Sequence, residues 1–483
     1  MVRVRFAPSP TGDLHVGGLR TALYNFLFAR KADGRFILRI EDTDRRRHVP
    51  GAVTAILETL RKCELNPDEG PEIGGDFGPY IQSQRLHLYR EAADRLLSEG
   101  HAYPCFCSSG DLEMVRADKP SPGETAGYDR KCRKLDPAEG AERMKSESHV
   151  LRLKVPLEGE IQHDDLVWGR IRFPFADVDD QILMKSDGYP TYHLANVVDD
   201  GLMKITHVIR GEEWLPSIPK HLLLYRYLEM EPPQFAHLPL ILNEKRQKLS
   251  KREGAGSVAN WLDKGILPQA LVNYVALLGW HPADGREIFD LEELIQAFSL
   301  DRVGKAGAVF DPEKLEWTSS EHMKRIDSGE LAELAAPFLR ETEFSKLRVD
   351  VLQNLLDCVR SRLHRLDELP ETLAPYSSKQ PVPDEEAQFW LSCDSARKLL
   401  PLILKAWKKE IEPNADSLLD CVRTVGKESG IKGKDLWMPI RAALTGRTSG
   451  PELKTIAAHL GAQEMISRLE KIARDVIENL GER

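Results

Sequence analysis

The sequence predicts an α/β fold: a parallel sheet interrupted by an insertion and followed by a long helical half. Three observations carry this. Residues 2–6 alternate as a strand, 7–12 form a Pro/Gly loop, 18–32 repeat with helical period, and 35–41 (RFILRIE) form a second strand, which together make a βαβ unit. A second set of strand-like and helical segments spans residues 192–221 and 235–242. Beyond about Val258 nearly every segment has helical periodicity.

Leu19, Ala22, Leu23, Phe26 and Leu27 share one face of the first helix, and the sheet it serves should bind ligands at the carboxyl ends of its strands. A helix from about Arg85 (RLHLYREAADRLLSEG) leads into a Cys-, Pro- and charge-rich stretch and then into strands at 149–155 and 169–175, which reads as the insertion. The sheet resumes and closes at the basic loop 243–254. In the helical half, Asp290 is the expected N-cap of LEELIQAF, and Gly426 to Gly433 is the expected breaker.

With 483 residues the chain is too long for one core. Apolar residues make up 41% and charged residues 30%, with no apolar run of membrane-spanning length. The N-terminus runs straight into a strand without an export leader, so a cytoplasmic protein is expected. The seven cysteines, odd in number and mostly scattered, suit reduced thiols. A net charge of −9 argues against indiscriminate coating of nucleic acid, so any nucleic-acid partner must be held by local basic patches.

Two loops carry the chemistry. His15-Val16-Gly17-Gly18 puts an imidazole and two glycines where a strand gives way to a helix N-terminus, an arrangement suited to phosphate oxygens. Alone it is an ordinary glycine-rich turn. Lys245 to Arg252 (KRQKLSKR) supplies cations of the kind a pentavalent α-phosphate and departing pyrophosphate need, although a basic run alone is usually a solvated loop.

Together the loops resemble the His-x-Gly-His and Lys-x-Ser-Lys signatures of class I aminoacyl-tRNA synthetases, with Gly18 in place of the second histidine and Lys248-Leu249-Ser250-Lys251-Arg252 as the second motif. Residues 5–12 (RFAPSPTG), 39–44 (RIEDTD), 189–196 (YPTYHLAN) and 208–214 (VIRGEEW) narrow the resemblance to bacterial-type glutamyl-tRNA synthetases. That resemblance implies a Rossmann-type catalytic domain in two halves, 1–84 and 191–254, around an inserted acceptor-binding domain at 85–190. It further implies all-α domains: a stem-contact domain at 255–327 and an anticodon-binding domain at 328–483.

The resemblance also implies roles. Arg5, Tyr192 and Arg210 hold the glutamate side-chain carboxylate, Ser9 and Asn196 the α-carboxylate, and Ala7 and Glu41 the α-amino group. His15, Gly17, Glu213, Lys248 and Lys251 bind ATP with Mg2+, and His15, Lys248 and Lys251 are catalytic. Arg362 helps read the anticodon. An alternative reading of the arginines is core pairing to internal acids.

Cys105, Cys107 and Cys132 are one ligand short of a closed zinc site. Family members that bind Zn2+ there add either a histidine two residues on, which is Lys134 here, or a tyrosine four residues earlier, which is Tyr128. Unmetallated thiols are the alternative. The implied partners are L-glutamate and tRNA(Glu), with charging of tRNA(Gln) left open, and the implied state is a monomer. Competing readings are a shortened paralogue that glutamylates a tRNA base, disfavoured by the helical half, a glutaminyl-tRNA synthetase, disfavoured by Arg210 and the helical C-terminus, and an inactive RNA-binding relic, disfavoured by intact His15, Lys248, Lys251 and Glu41.

Overall fold

The computed structural model describes residues 1–47, 49–108, 110–111, 113, 128–249, 256–377, 381–409 and 414–478. These form two compact units, residues 1–262 with 268–314, and residues 263–267 with 315–483.

In the first unit, β1 (Arg3–Phe6), α1 (Val16–Lys31) and β2 (Arg35–Leu38) form the βαβ unit, with β1 and β2 parallel and Arg5 beside Ile37. The second strand stops three residues short of the predicted end. After Leu38 the backbone leaves the ladder: Arg39 N–H donates to Phe6 O, Ile40 N–H to Tyr80 O and Glu41 N–H to Pro8 O, at 3.0, 2.9 and 3.0 Å. Arg39 and Glu41 are thereby turned into the interior.

Helices α2 (Ala52–Lys62) and α3 (Leu86–Ser98) lead to a region of antiparallel strands within the first unit. There β3 (Ala102–Cys105), β4 (Val150–Leu153) and β7 (Ile182–Met184) form an antiparallel sheet, with α4 (Pro137–Met144) against β3. A separate hairpin pairs β5 (Glu160–Asp165) with β6 (Gly169–Pro174) in unbroken register.

The second half follows as α5 (Tyr192–Leu202), β8 (His207–Gly211), α6 (Ile218–Tyr227) and β9 (Gln234–Leu238), with β8 and β9 parallel and Arg210 paired to His237. Strands β1 and β8 lie side by side but share no ladder. They are pinned at one end by Thr206, whose N–H donates to Arg3 O at 2.9 Å and whose Oγ1 accepts from Arg3 N–H at 2.9 Å. From that point their carboxyl ends open a crevice of the kind that binds ligands in such sheets.

Helix α1 is fixed from far along the chain. Arg20 donates to the carbonyls of Pro239 and Leu278, and Tyr24 OH to those of Ala276 and Leu278. The expected cap at Asp290 is present as a full capping box with Glu293.

The second unit is helical, and residues 387–473 contribute one core around buried Trp407. Here the expected glycine breaker shifts. The helix Ala415–Ser429 runs through Gly426, where a Cβ would lie 2.6 Å from Leu436 Cδ2, and ends at Gly430 with φ 72°. Gly426 therefore serves close packing, and Gly430 serves the left-handed turn.

Thr206→Val is expected to leave the Arg3 N–H unpaired. The first unit should lose about 1–3 kcal/mol, read as a lower urea midpoint with an unchanged slope.

Candidate active site

A cleft of about 510 Å³ opens where β1 and β8 diverge, lined by Arg5, Ala7, Ser9, His15, Gly17, Glu41, Tyr192, Arg210, Glu213 and Lys248 among others. These predicted residues, 243 positions apart at the extremes, converge on one space. Asn196 lies behind that wall, buried. Lys251, with Ser250 and Arg252, lies outside the described residues.

His15 is the N-cap of α1, and its Nδ1 accepts from Gly17 N–H at 3.0 Å. A Cβ at Gly17 would crowd that nitrogen at 3.3 Å, and one at Gly18 would lie 2.8 Å from Leu14 Cδ1. An imidazole at position 18 would therefore require the buried Leu14 to move. Across the cleft, Asn243 to Gln247 makes a tight turn that leads back to Lys248, which bridges to Leu242. Glu213 folds its carboxylate over Gly211, where a Cβ would stand 2.1 Å from Oε2.

The floor is a network of buried charges. Asp200, on α5, receives Arg5 Nε at 3.1 Å and Arg39 Nη1 at 2.6 Å. Asp199 receives Arg85 Nε at 2.7 Å, Tyr89 OH at 2.8 Å and Gln82 Nε2 at 2.9 Å. Arg39 Nη2 reaches Glu41 Oε1 at 3.3 Å. The Asn196 amide, with its oxygen towards the guanidiniums, accepts from Arg5 Nη2 and Arg39 Nη2 at 3.1 Å and donates to Asp200 Oδ2 at 3.2 Å. Burial pushes the Asp200 carboxyl up, but Arg39 and Arg5 outweigh it and hold it below the usual carboxylate range. At Glu41 burial wins over Arg39 and Arg5, and its carboxyl is raised. Arg5 thus pairs with an internal acid and also faces the cleft.

Arg210 differs in kind. It is 4% exposed, yet every partner is neutral: Nε donates to His237 Nε2 at 3.1 Å, Nη1 to Tyr192 OH at 3.0 Å, and Nη2 to Trp214 O at 3.4 Å, with His221 Nδ1 3.3 Å from both terminal nitrogens. Burial and then the Arg210 charge push His221 well below the ordinary histidine value, while burial takes His237 to about 4 and His193 to about 3. The rings are uncharged at neutral pH. Among the described residues Arg210 makes no ion pair, so the cleft wall carries a desolvated cation with its charge uncompensated.

The motifs pointed to Arg5, Tyr192 and Arg210 but not to Asp199, Asp200, His221 or His237. One signal was available for Asp200: it stands four residues after Asn196, on the same helical face, with Asp199 beside it and apolar residues between the two sites.

Beside β3, the sulfurs of Cys105, Cys107 and Cys132 lie within 4.8 Å of one another. Tyr128 OH joins them, 3.2 Å from Cys105 Sγ and 3.6 Å from Cys107 Sγ, while Cys107 and Cys132 sulfurs are 3.5 Å apart. Tetrahedral zinc with Zn–S of about 2.3 Å sets sulfurs about 3.8 Å apart, so the donor set fits such an ion. In the second unit Arg362 is exposed and donates from Nη2 to Ser449 Oγ at 2.5 Å.

Comparison with known proteins fits this geometry. Residues 1–317 match the catalytic domain of class I tRNA synthetases (E and Q), and residues 330–473 match an anticodon binding domain. The chain belongs to the class I tRNA synthetases of the E and Q type. It is similar to the glutamate–tRNA ligase of Alkaliphilus metalliredigens, 44% identical over 99% of both chains, and to that of Clostridioides difficile, 43% identical over 99% of this chain and 100% of the other. A glutamate tRNA ligase from Elizabethkingia meningosepticum, solved in complex with its amino acid, superposes with a TM-score of 0.88 at 34% identity, covering 98% of this chain and 99% of that one. Like the crevice, the Rossmann-type fold of the synthetase and its helical C-terminal part accord with the family expected from the motifs. No helix among the described residues is long and apolar enough to cross a membrane.

Asp200→Ala is expected to strand Arg5 and Arg39 without their shared acid. A loss of about 3–5 kcal/mol should appear in urea unfolding of the first unit.

Proposed function

We propose that the chain activates L-glutamate with ATP and transfers it to the 3′ end of tRNA(Glu). The observation that carries this is the uncompensated Arg210 cation in the cleft wall. A carboxylate side chain supplies the missing charge through charge-assisted bonds of about 1.5–3 kcal/mol each, whereas an amide leaves the buried cation unpaired.

In this reading Arg210, Tyr192 and Arg5 hold the side-chain carboxylate, Ser9 the α-carboxylate with Asn196 supporting from behind the wall through Arg5, and Glu41 with the Ala7 carbonyl the α-amino group. The raised carboxyl of Glu41 suits a group that awaits an ammonium partner. His15 and Gly17 at the α1 N-terminus, Glu213, Lys248 and Lys251 serve ATP. The α-carboxylate attacks the α-phosphorus in line, the bond to the bridging oxygen breaks, and pyrophosphate leaves with its electron pair. The ribose hydroxyl of tRNA then takes the glutamyl group, and AMP departs. Magnesium arriving with ATP would supply positive charge to the departing pyrophosphate, beside the cations of Lys248 and Lys251. The protein supplies position and fixed charge rather than a nucleophile.

We assign 85–190 to the tRNA acceptor end, 255–327 to the stem and 328–483 to the anticodon, with Arg362 at a base edge. The enzyme acts in the cytoplasm as a monomer. Zn2+ is held by Cys105, Cys107, Cys132 and Tyr128 in a structural role, since four protein ligands leave no open position.

Purified enzyme with ATP, labelled glutamate and tRNA(Glu) should form glutamyl-tRNA, with tRNA(Gln) as a parallel substrate to define the range. Failure with every glutamate tRNA would sink the assignment. Arg210→Ala should raise the glutamate KM at least about a hundredfold, the loss of about 3 kcal/mol, with the ATP KM unchanged.

For the metal, elemental analysis should find about one zinc per chain, lost in Cys132→Ser and lowered in Tyr128→Phe. Wild-type protein free of zinc after expression in zinc-replete medium would refute the site.

A further inference from the structure

The β5–β6 hairpin of the first unit packs behind Arg210. Asp165, the last residue of β5, is 4% exposed and sits beside His237 on β9. Its Oδ1 accepts the N–H groups of Val167, Trp168 and His237, at 2.9, 3.0 and 3.3 Å. Its Oδ2 lies 2.6 Å from His237 Nδ1. The turn is docked further by Leu166 N–H on Phe235 O and Trp168 Nε1 on His237 O, at 2.9 and 3.0 Å. On the other side of the ring, His237 Nε2 faces Arg210 Nε at 3.1 Å, as the β8–β9 register dictates.

The chain of donors allows one assignment. An ionised carboxylate only accepts, so His237 Nδ1 carries the proton, and in the neutral ring Nε2 is then left as the acceptor that Arg210 Nε–H requires. The ring passes on orientation without passing on charge. An acid in direct contact with Nε would neutralise Arg210, whereas Asp165, set one imidazole away, fixes the guanidinium plane and leaves its cation for the ligand.

We propose that Asp165 and His237 are positioning residues for amino-acid selection: through one imidazole tautomer, the β5–β6 hairpin sets the guanidinium that receives the glutamate side chain. The inference rests on the reading of Arg210 as the carboxylate receptor.

Asp165→Asn tests it with almost no change of shape. The Asn oxygen stays on the three backbone N–H groups, so its NH2 faces His237 Nδ1. That forces the proton to Nε2, where it confronts Arg210 Nε–H. The glutamate KM in aminoacylation should rise about ten- to a hundredfold, the scale set by a buried donor left facing another donor, while kcat at saturating glutamate and the ATP KM stay near wild type. His237→Gln offers an acceptor with no tautomer but takes the ring N–H from Asp165 Oδ2. The double variant Asp165→Asn/His237→Gln removes both faults and should recover most of the glutamate affinity, a coupling that simple packing damage would not give. An unchanged glutamate KM in Asp165→Asn, or no recovery in the double variant, overturns the proposal. If Arg210→Gln also leaves the glutamate KM unaltered, the receptor reading itself has failed, not merely the relay.

Discussion

Two adjacent aspartates at the end of one helix hold the catalytic unit together. Asp199 and Asp200 take Arg85, Arg39 and Arg5 from three separate stretches of chain, and all five groups are buried. Isolated charges could not be taken so far from water; their mutual pairing and added hydrogen bonds make burial tolerable. Because Arg5 belongs to β1 and Arg39 follows β2, the same pairing closes α5 against strands with which its own segment shares no ladder. The crevice between β1 and β8 is open on one side because this network seals the other.

That seal also gives the site its contrast. In the floor, three carboxylates meet three guanidiniums and their charges balance. In the wall, Arg210 meets a phenol, a carbonyl, two neutral imidazoles and the face of Phe235, and no acid among the described residues pairs with it. A low-dielectric site built this way has a strong preference for one negative charge at one place, with no need for many contacts.

Much of this was legible in the sequence, and the reasons for the rest are specific. Helix α1 was visible because Leu19, Leu23, Phe26 and Leu27 keep helical period, and Asp290 because a capping box is a local pattern. Arg39 and Glu41 look like strand residues, and only the carbonyls of Phe6, Tyr80 and Pro8 show why the chain turns inward there. Gly426 has the composition of a breaker but faces a neighbouring helix, which no local pattern reveals. In the site, motifs identified Arg5, Tyr192 and Arg210 residue by residue. The neutral cage was invisible because Asp165 and His237 stand 72 positions apart and meet only through strand register and a docked hairpin.

The clasp on α1 bears on how the protein is made. Arg20 and Tyr24 are buried, and their acceptors at residues 239 and 276–278 stand between 219 and 258 positions further on. During synthesis the first helix leaves the ribosome long before those carbonyls exist, and its guanidinium stays hydrogen-bonded to water until they arrive to replace it. The catalytic unit therefore cannot mature from its N-terminus forward. It must wait until the segment around Leu278 has emerged, and only then can the crevice acquire its final shape.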